Sequence, residues 1–187
     1  TANVSHELKT PIAIIKGELE GMIYQVGEYK DRDTYLRHCM KTVNDMERIV
    51  KDILSAARMG GSDFKLERTD LDISRMLQKA CRKVMGRIED KEMELRQDIQ
   101  PDFHYEGDAR LMEKVFANVL DNAVAYSPRG AVVTVTLQDG VLSVENSGIH
   151  IEQEDLEQLF TPFYRVDKSR NRNSGGSGLG LYITKTI

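Results

Sequence analysis

Four stretches of this 187-residue chain carry residue types whose spacing suits chemistry. The first is Ser5-His6-Glu7-Leu8-Lys9-Thr10-Pro11. A neutral imidazole nitrogen is nucleophilic near neutral pH, and an adjacent carboxylate can accept its ring proton and orient the tautomer. Thr10 stands one helical turn from His6 on the same face, where its hydroxyl can hydrogen-bond a water. A zincin-like metal site fails, because Thr10 stands where that pattern needs a second histidine. The plain alternative is an exposed helix histidine with no special role.

The second stretch is Asn118-Val119-Leu120-Asp121-Asn122-Ala123-Val124-Ala125-Tyr126. Asn118 and Asn122 share a helical face, and their carbonyl oxygens are hard ligands of the kind Mg²⁺ prefers. The third, Glu145-Asn146-Ser147-Gly148-Ile149-His150-Ile151, follows a strand. A polar residue at a strand end, followed by glycine, leaves the backbone open to a flat ring. The fourth is Gly175-Gly176-Ser177-Gly178-Leu179-Gly180-Leu181-Tyr182-Ile183. Glycines let backbone approach phosphates closely, and a following helix offers free N–H groups. It is neither a Walker loop nor a dinucleotide fingerprint. Arg165, Lys168, Arg170 and Arg172 lie just upstream, with Asp167 the one acid among them. Each stretch also has a bland reading: a surface Asn pair, a strand-exit turn, a solvated loop.

The elements that must carry these stretches fall into two unlike parts. In the first, Val4, Leu8, Ile12, Ile15, Leu19, Met22 and Val26 recur in steps of three and four. Leu36, Cys39, Val43, Met46, Val50, Ile53 and Ala57 repeat that pattern. Such steps predict two seam-forming helices. A polar turn at 27–33 joins them, with Asp31 or Asp33 as a cap. Two helices make a thin core, so self-association into a four-helix bundle is expected. Nine Lys/Arg balance nine Asp/Glu here, which fits a solvated outer face.

After Gly60-Gly61-Ser62 the period changes. Phe64–Arg68, Met93–Arg96 and Phe103–Tyr105 alternate like short strands. Ile73–Ile88 has helical spacing. Asp108 is placed to cap a helix through Val124, which Ser127-Pro128-Arg129-Gly130 ends. Ala131–Leu137 and Val141–Glu145 flank an Asp139-Gly140 hairpin turn. A short helix is expected at Gln153–Leu159. Helices alternating with a meander of strands predict an α/β sandwich with its helices on one sheet face. The expected boundaries are a hairpin at 1–59, a linker at 60–62 and a second domain at 63–187.

Composition excludes several function classes. There are 26 Lys+Arg against 30 Asp+Glu, a net charge of −4. That argues against a strongly basic nucleic-acid binder. No apolar run is long enough to span a bilayer. Cys39 and Cys81 are isolated and fit no metal spacing, which predicts packed, reduced thiols. Thr1 heads the chain without a signal-peptide pattern, so a piece of something longer is expected.

In this order and spacing, the stretches resemble the sensor histidine kinases of bacterial two-component systems. Ser5–Pro11 is similar to the family's phosphoacceptor box and Asn118–Tyr126 to its N box. Asn146–Ile151 resembles the first glycine box, Phe160–Arg165 the F box and Gly176–Leu181 the second glycine box. The resemblance implies an α+β chain: a dimeric helical hairpin, then a Bergerat-type ATP-binding sandwich on a mixed sheet. It implies that His6 takes the γ-phosphoryl group of ATP, with Glu7 as proton acceptor. Thr10 would position water for dephosphorylation of a partner. Asn122 would hold Mg²⁺, Asn118 would lie near the phosphates, and Tyr126 beside the nucleotide. Asn146 would meet the adenine amino group next to Gly148. Gly176, Gly178, Leu179 and Gly180 would belong to a lid over the triphosphate, with Arg165 and Lys168 as its cations.

The implied partners are a second copy through residues 1–59 and the receiver domain of a response regulator, with no nucleic acid. Membrane attachment would come only through a missing N-terminal segment, making this the cytoplasmic portion of a membrane protein. The family continues past the second glycine box, so truncation at Ile187 is expected. Three positions depart from the family pattern. Asn146 replaces an Asp, His150 a Gly, and Ala125 a frequent Lys, whose phosphate contact Arg129 or a lid cation would have to replace. An amide at 146 still accepts a hydrogen bond, but without charge, which implies weaker adenine binding. The Phe163–Arg170 wording resembles Gram-positive envelope or glycopeptide-response sensors. A catalytically impaired scaffold, or a sensor keeping only phosphatase action, is the alternative. A stand-alone ATPase of the same sandwich fold is disfavoured by the hairpin with His6.

Overall fold

The computed structural model describes residues 2–59, 64–166 and 177–187, with the side chains of residues 2 and 3 left aside. Helix α1 spans Ala2–Tyr24 and α2 spans Arg32–Met59. Between them, Gly27 takes φ +52° and opens a 3-10 turn, Gly27–Lys30. Asp31 then caps α2: its carboxylate accepts from the Thr34 N–H at 3.3 Å and the Thr34 hydroxyl at 2.7 Å. Pro11 lies inside α1 and removes one intrahelical bond, the one to the Glu7 carbonyl, just past His6.

The expected seam is only partly covered. Met22 and Cys39 are buried, but Ile12, Leu19, Leu36, Val43 and Val50 remain exposed. Ile12, Ile15, Leu19, Val43, Met46 and Val50 line an apolar groove between the helices. Two helices shield each other on one side only, so half of each stripe still faces water. Ile49 and Asp52, off the expected seam, are buried instead. Cys39 donates its thiol to Glu18 at 3.1 Å. Burial first, then the Glu18 carboxylate, push this thiol up to about 11. Both cysteines are free and buried, as expected.

Beyond residue 63 the strands are β1 (Arg68–Asp72), β2 (Glu94–Ile99), β3 (His104–Asp108), β4 (Val132–Gln138) and β5 (Val141–Asn146). β1 pairs antiparallel with β3. In the main sheet, ordered β2-β4-β5, β2 runs parallel to β4 and β5 antiparallel to it, so the sheet is mixed. Asp139 and Gly140 both adopt positive φ, +51° and +78°, the I′ geometry that the Asp-Gly pair favours. The strand expected at Phe64–Arg68 is displaced: pairing begins at Arg68, because Leu71, not Phe64, is the apolar residue that reaches the core.

Helices α3 (Ile73–Asp90) and α4 (Ala109–Tyr126) cover one sheet face. Leu77, Cys81, Val84 and Ile88 meet Phe116, Leu120, Ala123 and Val124 above Val133, Val135 and Leu137. Fully burying one such aliphatic or aromatic side chain contributes about 1.5–3 kcal/mol. Among the described residues two short helices follow, α5 (Gln153–Leu156) and α6 (Gly180–Thr186). α5 is shorter than the expected Gln153–Leu159, because Leu159 N–H turns to the Leu156 carbonyl, tightening the chain to 3-10 spacing.

Asp108 joins these pieces. Its buried carboxylate caps α4 by accepting from the Arg110 N–H at 3.0 Å and the Leu111 N–H at 3.4 Å. It also accepts from Glu67 N–H at 3.1 Å, fixing the approach to β1. The Arg110 guanidinium, together with these backbone donors, outweighs burial and holds the carboxyl down at about 2. An unfolded aspartate titrates near 3.9, so this contribution is fully present above that pH. It is lost as pH falls from about 4 through 2. Denaturant titrations at several pH values should show this acid loss in the native chain, and Asp108→Asn should flatten it.

Candidate functional site

Helix α4 is the centre of the site because it has two different faces. Phe116, Leu120, Ala123 and Val124 point into the core. Asn118, Asn122 and Tyr126 lie on another face, the asparagines half-buried and Tyr126 exposed. The two amides have separate fates. Asn118 donates to the Gly180 carbonyl at 2.9 Å and the Thr184 hydroxyl at 3.4 Å, so it seats α6. The Asn122 amide makes no hydrogen bond among the described residues. Of the pair, Asn118 is therefore the amide committed to another element.

The end of α4 is fixed by a residue that sequence reasoning missed. Lys91 follows α3, and its ammonium donates to the Val124, Ala125 and Ser127 carbonyls at 2.8, 3.1 and 2.9 Å. These are terminal carbonyls that the helix itself leaves unpaired. Burial first, then the charge of Arg87, lower the lysine's pKa. No local motif marks this role, since the contact joins residues more than thirty positions apart. Ser127 adds a hydroxyl bond to the Ala123 carbonyl at 2.6 Å. Arg129, a candidate to replace the absent N-box lysine, is paired elsewhere, with Glu92 and the Asp90 carbonyl.

The same loop meets the end of β5. Asn146 is the last residue of that strand, opposite Val133, and is exposed. Ser147 closes the strand end: its N–H donates to the Val132 carbonyl and its hydroxyl accepts from Val132 N–H, each at 2.9 Å. Gly148 then turns at φ +85° directly beneath Pro128. Gly148 and Pro128 thereby bring the turn after β5 against the turn after α4, the helix that carries Asn122 and Tyr126 and itself packs on β5. His150 is exposed, 3.6 Å from the Glu152 carboxylate.

The glycine-rich stretch is described from Ser177 onward; Lys168 and Gly176 lie outside the described residues. Gly178 has φ +69°, and a Cβ there would stand 2.8 Å from the Phe163 backbone. Phe163 N–H donates to the Gly178 carbonyl at 3.0 Å, tying the Phe160–Arg165 stretch to the start of α6. Tyr164 donates to Asp155, a bond that raises the phenol's pKa. Arg165 is half-buried in the same segment. Leu179 is buried and anchors the segment, and Gly180 begins the helix against Asn118.

On the hairpin, His6 is exposed on α1. Glu7 is half-buried, and no ion pair joins it to His6, as adjacent helix positions diverge. The Thr10 hydroxyl donates to the His6 carbonyl at 3.3 Å, so it is committed to the backbone rather than to the imidazole. Among the described residues no group of three or more His, Cys, Asp and Glu could hold a metal ion.

Gly148→Ala should test the geometry where α4 meets β5. The new Cβ would lie 2.7 Å from Pro128 Cγ, and positive φ disfavours any side chain. Together these effects should cost about 1–3 kcal/mol. A thermal melt of the variant should fall by several degrees relative to the native chain.

Comparison with known proteins matches both parts of the chain. The His Kinase A (phospho-acceptor) domain matches residues 1–62. The histidine kinase-, DNA gyrase B- and HSP90-like ATPase domain matches residues 107–187. Sensor protein VanSB of Enterococcus faecalis is 37% identical over 98% of this chain and 42% of its own length. Sensor-like histidine kinase SenX3 of Mycobacterium tuberculosis is 31% identical over all of this chain and 46% of its own length. The chain thus spans less than half of these curated relatives. Among solved structures, histidine kinase AdeS of Acinetobacter baumannii shares the fold, with a TM-score of 0.78 at 24% identity over 97% of this chain and 84% of that one. Histidine kinase ThkA, solved in complex with response regulator protein TrrA, gives a TM-score of 0.74 at 25% identity, over 88% of this chain and 50% of that one. With both domains matched in the order that the hairpin and sandwich require, the chain belongs to the sensor histidine kinases of bacterial two-component systems.

Proposed function

We propose that this chain is the core of an ATP-dependent protein histidine autokinase. The observation that carries the reading is one molecule in which an exposed imidazole on a helical hairpin accompanies a sandwich whose helix α4, bearing Asn122 and Tyr126, packs on β5, the strand that ends at Asn146. In the proposed reaction a neutral His6 ring nitrogen attacks the γ-phosphorus of ATP. A P–N bond forms, the P–O bond to ADP breaks, and the proton on the other ring nitrogen passes to Glu7 or to water. Glu7 must turn toward the ring for this step, since no contact joins the two.

The chain's own groups supply binding and orientation. Asn146 accepts from the adenine amino group beside the glycine turn at 148, and Tyr126 lies against the nucleotide. Asn122 offers a carbonyl oxygen to Mg²⁺, which would neutralise triphosphate charge when bound. The phosphates are assigned to Gly178, Leu179 and Gly180, with Arg165 as a cation; Gly176 and Lys168, assigned the same roles, lie outside the described residues. Asn118 contributes by holding α6 in place.

We take the hairpin as 1–59, a linker at 60–62 that lies outside the described residues, and the ATP-binding domain as 63–187. The exposed groove along Ile12, Leu19, Val43 and Val50 supports a homodimer closing a four-helix bundle. The phosphoryl group then passes from His6 to an aspartate on a response regulator, a partner class supported by the ThkA–TrrA complex. Thr10 would serve the reverse reaction by positioning water once its hydroxyl leaves the His6 carbonyl. The chain is read as the cytoplasmic portion of a cell-membrane sensor. No described helix is itself long and apolar enough to cross a membrane. The likeness to VanSB fits the envelope or glycopeptide-response branch.

Incubation with labelled ATP and Mg²⁺ tests the reading. The native chain should acquire label that survives alkali and is lost in acid, and His6→Gln should acquire none. Absence of label on a folded, dimeric native chain would contradict the kinase reading and leave the scaffold. The depth of the Asn146 contribution has its own measure. Asn146→Asp should tighten ATP binding severalfold, because a charged acceptor strengthens the bond to the adenine amino group, by about 1 kcal/mol.

A further inference from the structure

Asp52 is the only buried charged side chain among the described hairpin residues, 6% exposed in a helix whose other acids are solvated. One carboxylate oxygen accepts from the Lys114 ammonium at 2.6 Å. The other accepts from the Ser177 hydroxyl at 3.0 Å. Lys114 lies on α4 one turn before Asn118, and Ser177 stands just ahead of α6, where its hydroxyl also accepts from Leu179 N–H at 3.3 Å. A single carboxylate therefore joins α2 to both helices that frame the candidate nucleotide site.

Its height on the hairpin matters as much. The helices are antiparallel, and Glu18 meets His38 and Cys39 across them. Counting back along α1 and forward along α2 from that contact brings His6 to the level of Val50 and Lys51, next to Asp52. The junction thus stands level with the phosphoacceptor, one helix away. A buried carboxylate deprived of its partners is costly, so this contact favours one register between hairpin and sandwich over its neighbours. Phosphoryl transfer is sensitive to displacements near 1 Å, so that register has a direct bearing on rate.

We propose that Asp52, through Lys114 and Ser177, is a positioning residue that sets where the nucleotide-bearing helices stand relative to His6. The proposal rests on the kinase reading above. Asp52 is not among the residues assigned to the nucleotide, and it acts through the hairpin contact. It therefore governs the rate of His6 phosphorylation rather than ATP affinity.

The test is a double-mutant cycle in the full dimeric chain. Asp52→Ala and Lys114→Ala should each slow labelling of His6 at saturating ATP by about tenfold, with the dissociation constant for ATP within about twofold of native. The double variant should be no slower than Asp52→Ala, because Lys114→Ala removes only a contact that Asp52→Ala has already lost. Lys114→Arg, which keeps the charge, should label near the native rate. Asp52→Asn keeps the volume and the bond to Ser177, and provides a folded variant if Asp52→Ala does not fold; it too should be slow. Rates within twofold of native, faster rates, additive losses, or a loss confined to ATP affinity would each overturn the proposal. Amide exchange of Ile183 in α6 provides a readout that needs no catalysis. It should quicken in Asp52→Ala even if the native chain proves not to label, and unchanged exchange would refute the contact itself.

Discussion

The structure depends on helix α4 serving two neighbours at once. Its core face is filled by Phe116, Leu120, Ala123 and Val124, and this packing holds it to α3 and the sheet. With rotation about its axis so fixed, Asn122 and Tyr126 have no freedom in where they emerge. The ends are fixed as firmly. Asp108 accepts the first free N–H groups, and Lys91 donates to the last free carbonyls. A charge at each end has the sign that the helix dipole favours, anionic at the start and cationic at the finish. The candidate site is therefore preorganised by the same bonds that stabilise the domain, and a change in the core would be felt at Asn122 and Tyr126.

The hairpin follows another logic. Its sequence contains enough apolar residues for a two-sided core, yet the paired helices cover only one side. Ile12, Leu19, Val43 and Val50 stay exposed along a continuous groove. An apolar strip of this kind in water is unfavourable unless something covers it. A second hairpin supplies the same pattern in return, which is the self-complementarity of a two-fold bundle. Polar contacts occupy the rim: Cys39 and His38 meet Glu18 near the turn, while Asp52 turns toward the sandwich.

Periodicity made most elements legible in the sequence. The two long helices, α3, α4 and the β4–β5 hairpin each carry a strong local signal: heptad steps, an aspartate cap, or an Asp-Gly turn. The misplaced strand at Phe64–Arg68 shows where that reasoning fails. Alternation over five residues cannot tell which apolar residue finds the core, and Leu71 won through its pairing partner on β3. Likewise, Ile49 and Asp52 are buried by contacts outside the helix that carries them. Of the candidate site, the residue types and order were readable, but their commitments were not. Asn118 bonds to α6, Thr10 to its own backbone and Arg129 to the α3–β2 turn. Lys91 was invisible for the same reason: its partners are remote in sequence, and no spacing rule reaches that far.

The central claim is that nucleotide is held on the α4 face carrying Asn122 and Tyr126, against the end of β5. The competing surface is the groove between α3 and α4, lined by Lys79, Lys83 and Arg87. Backbone amide chemical shifts of the isotopically labelled chain, titrated with a non-hydrolysable ATP analogue and Mg²⁺, separate the two most directly. The account predicts perturbations at Asn122, Tyr126, Asn146, Gly148 and Gly180, with Lys79 and Lys83 unmoved. Perturbations centred on Lys79, Lys83 and Arg87, or none at all in the folded chain, would contradict it.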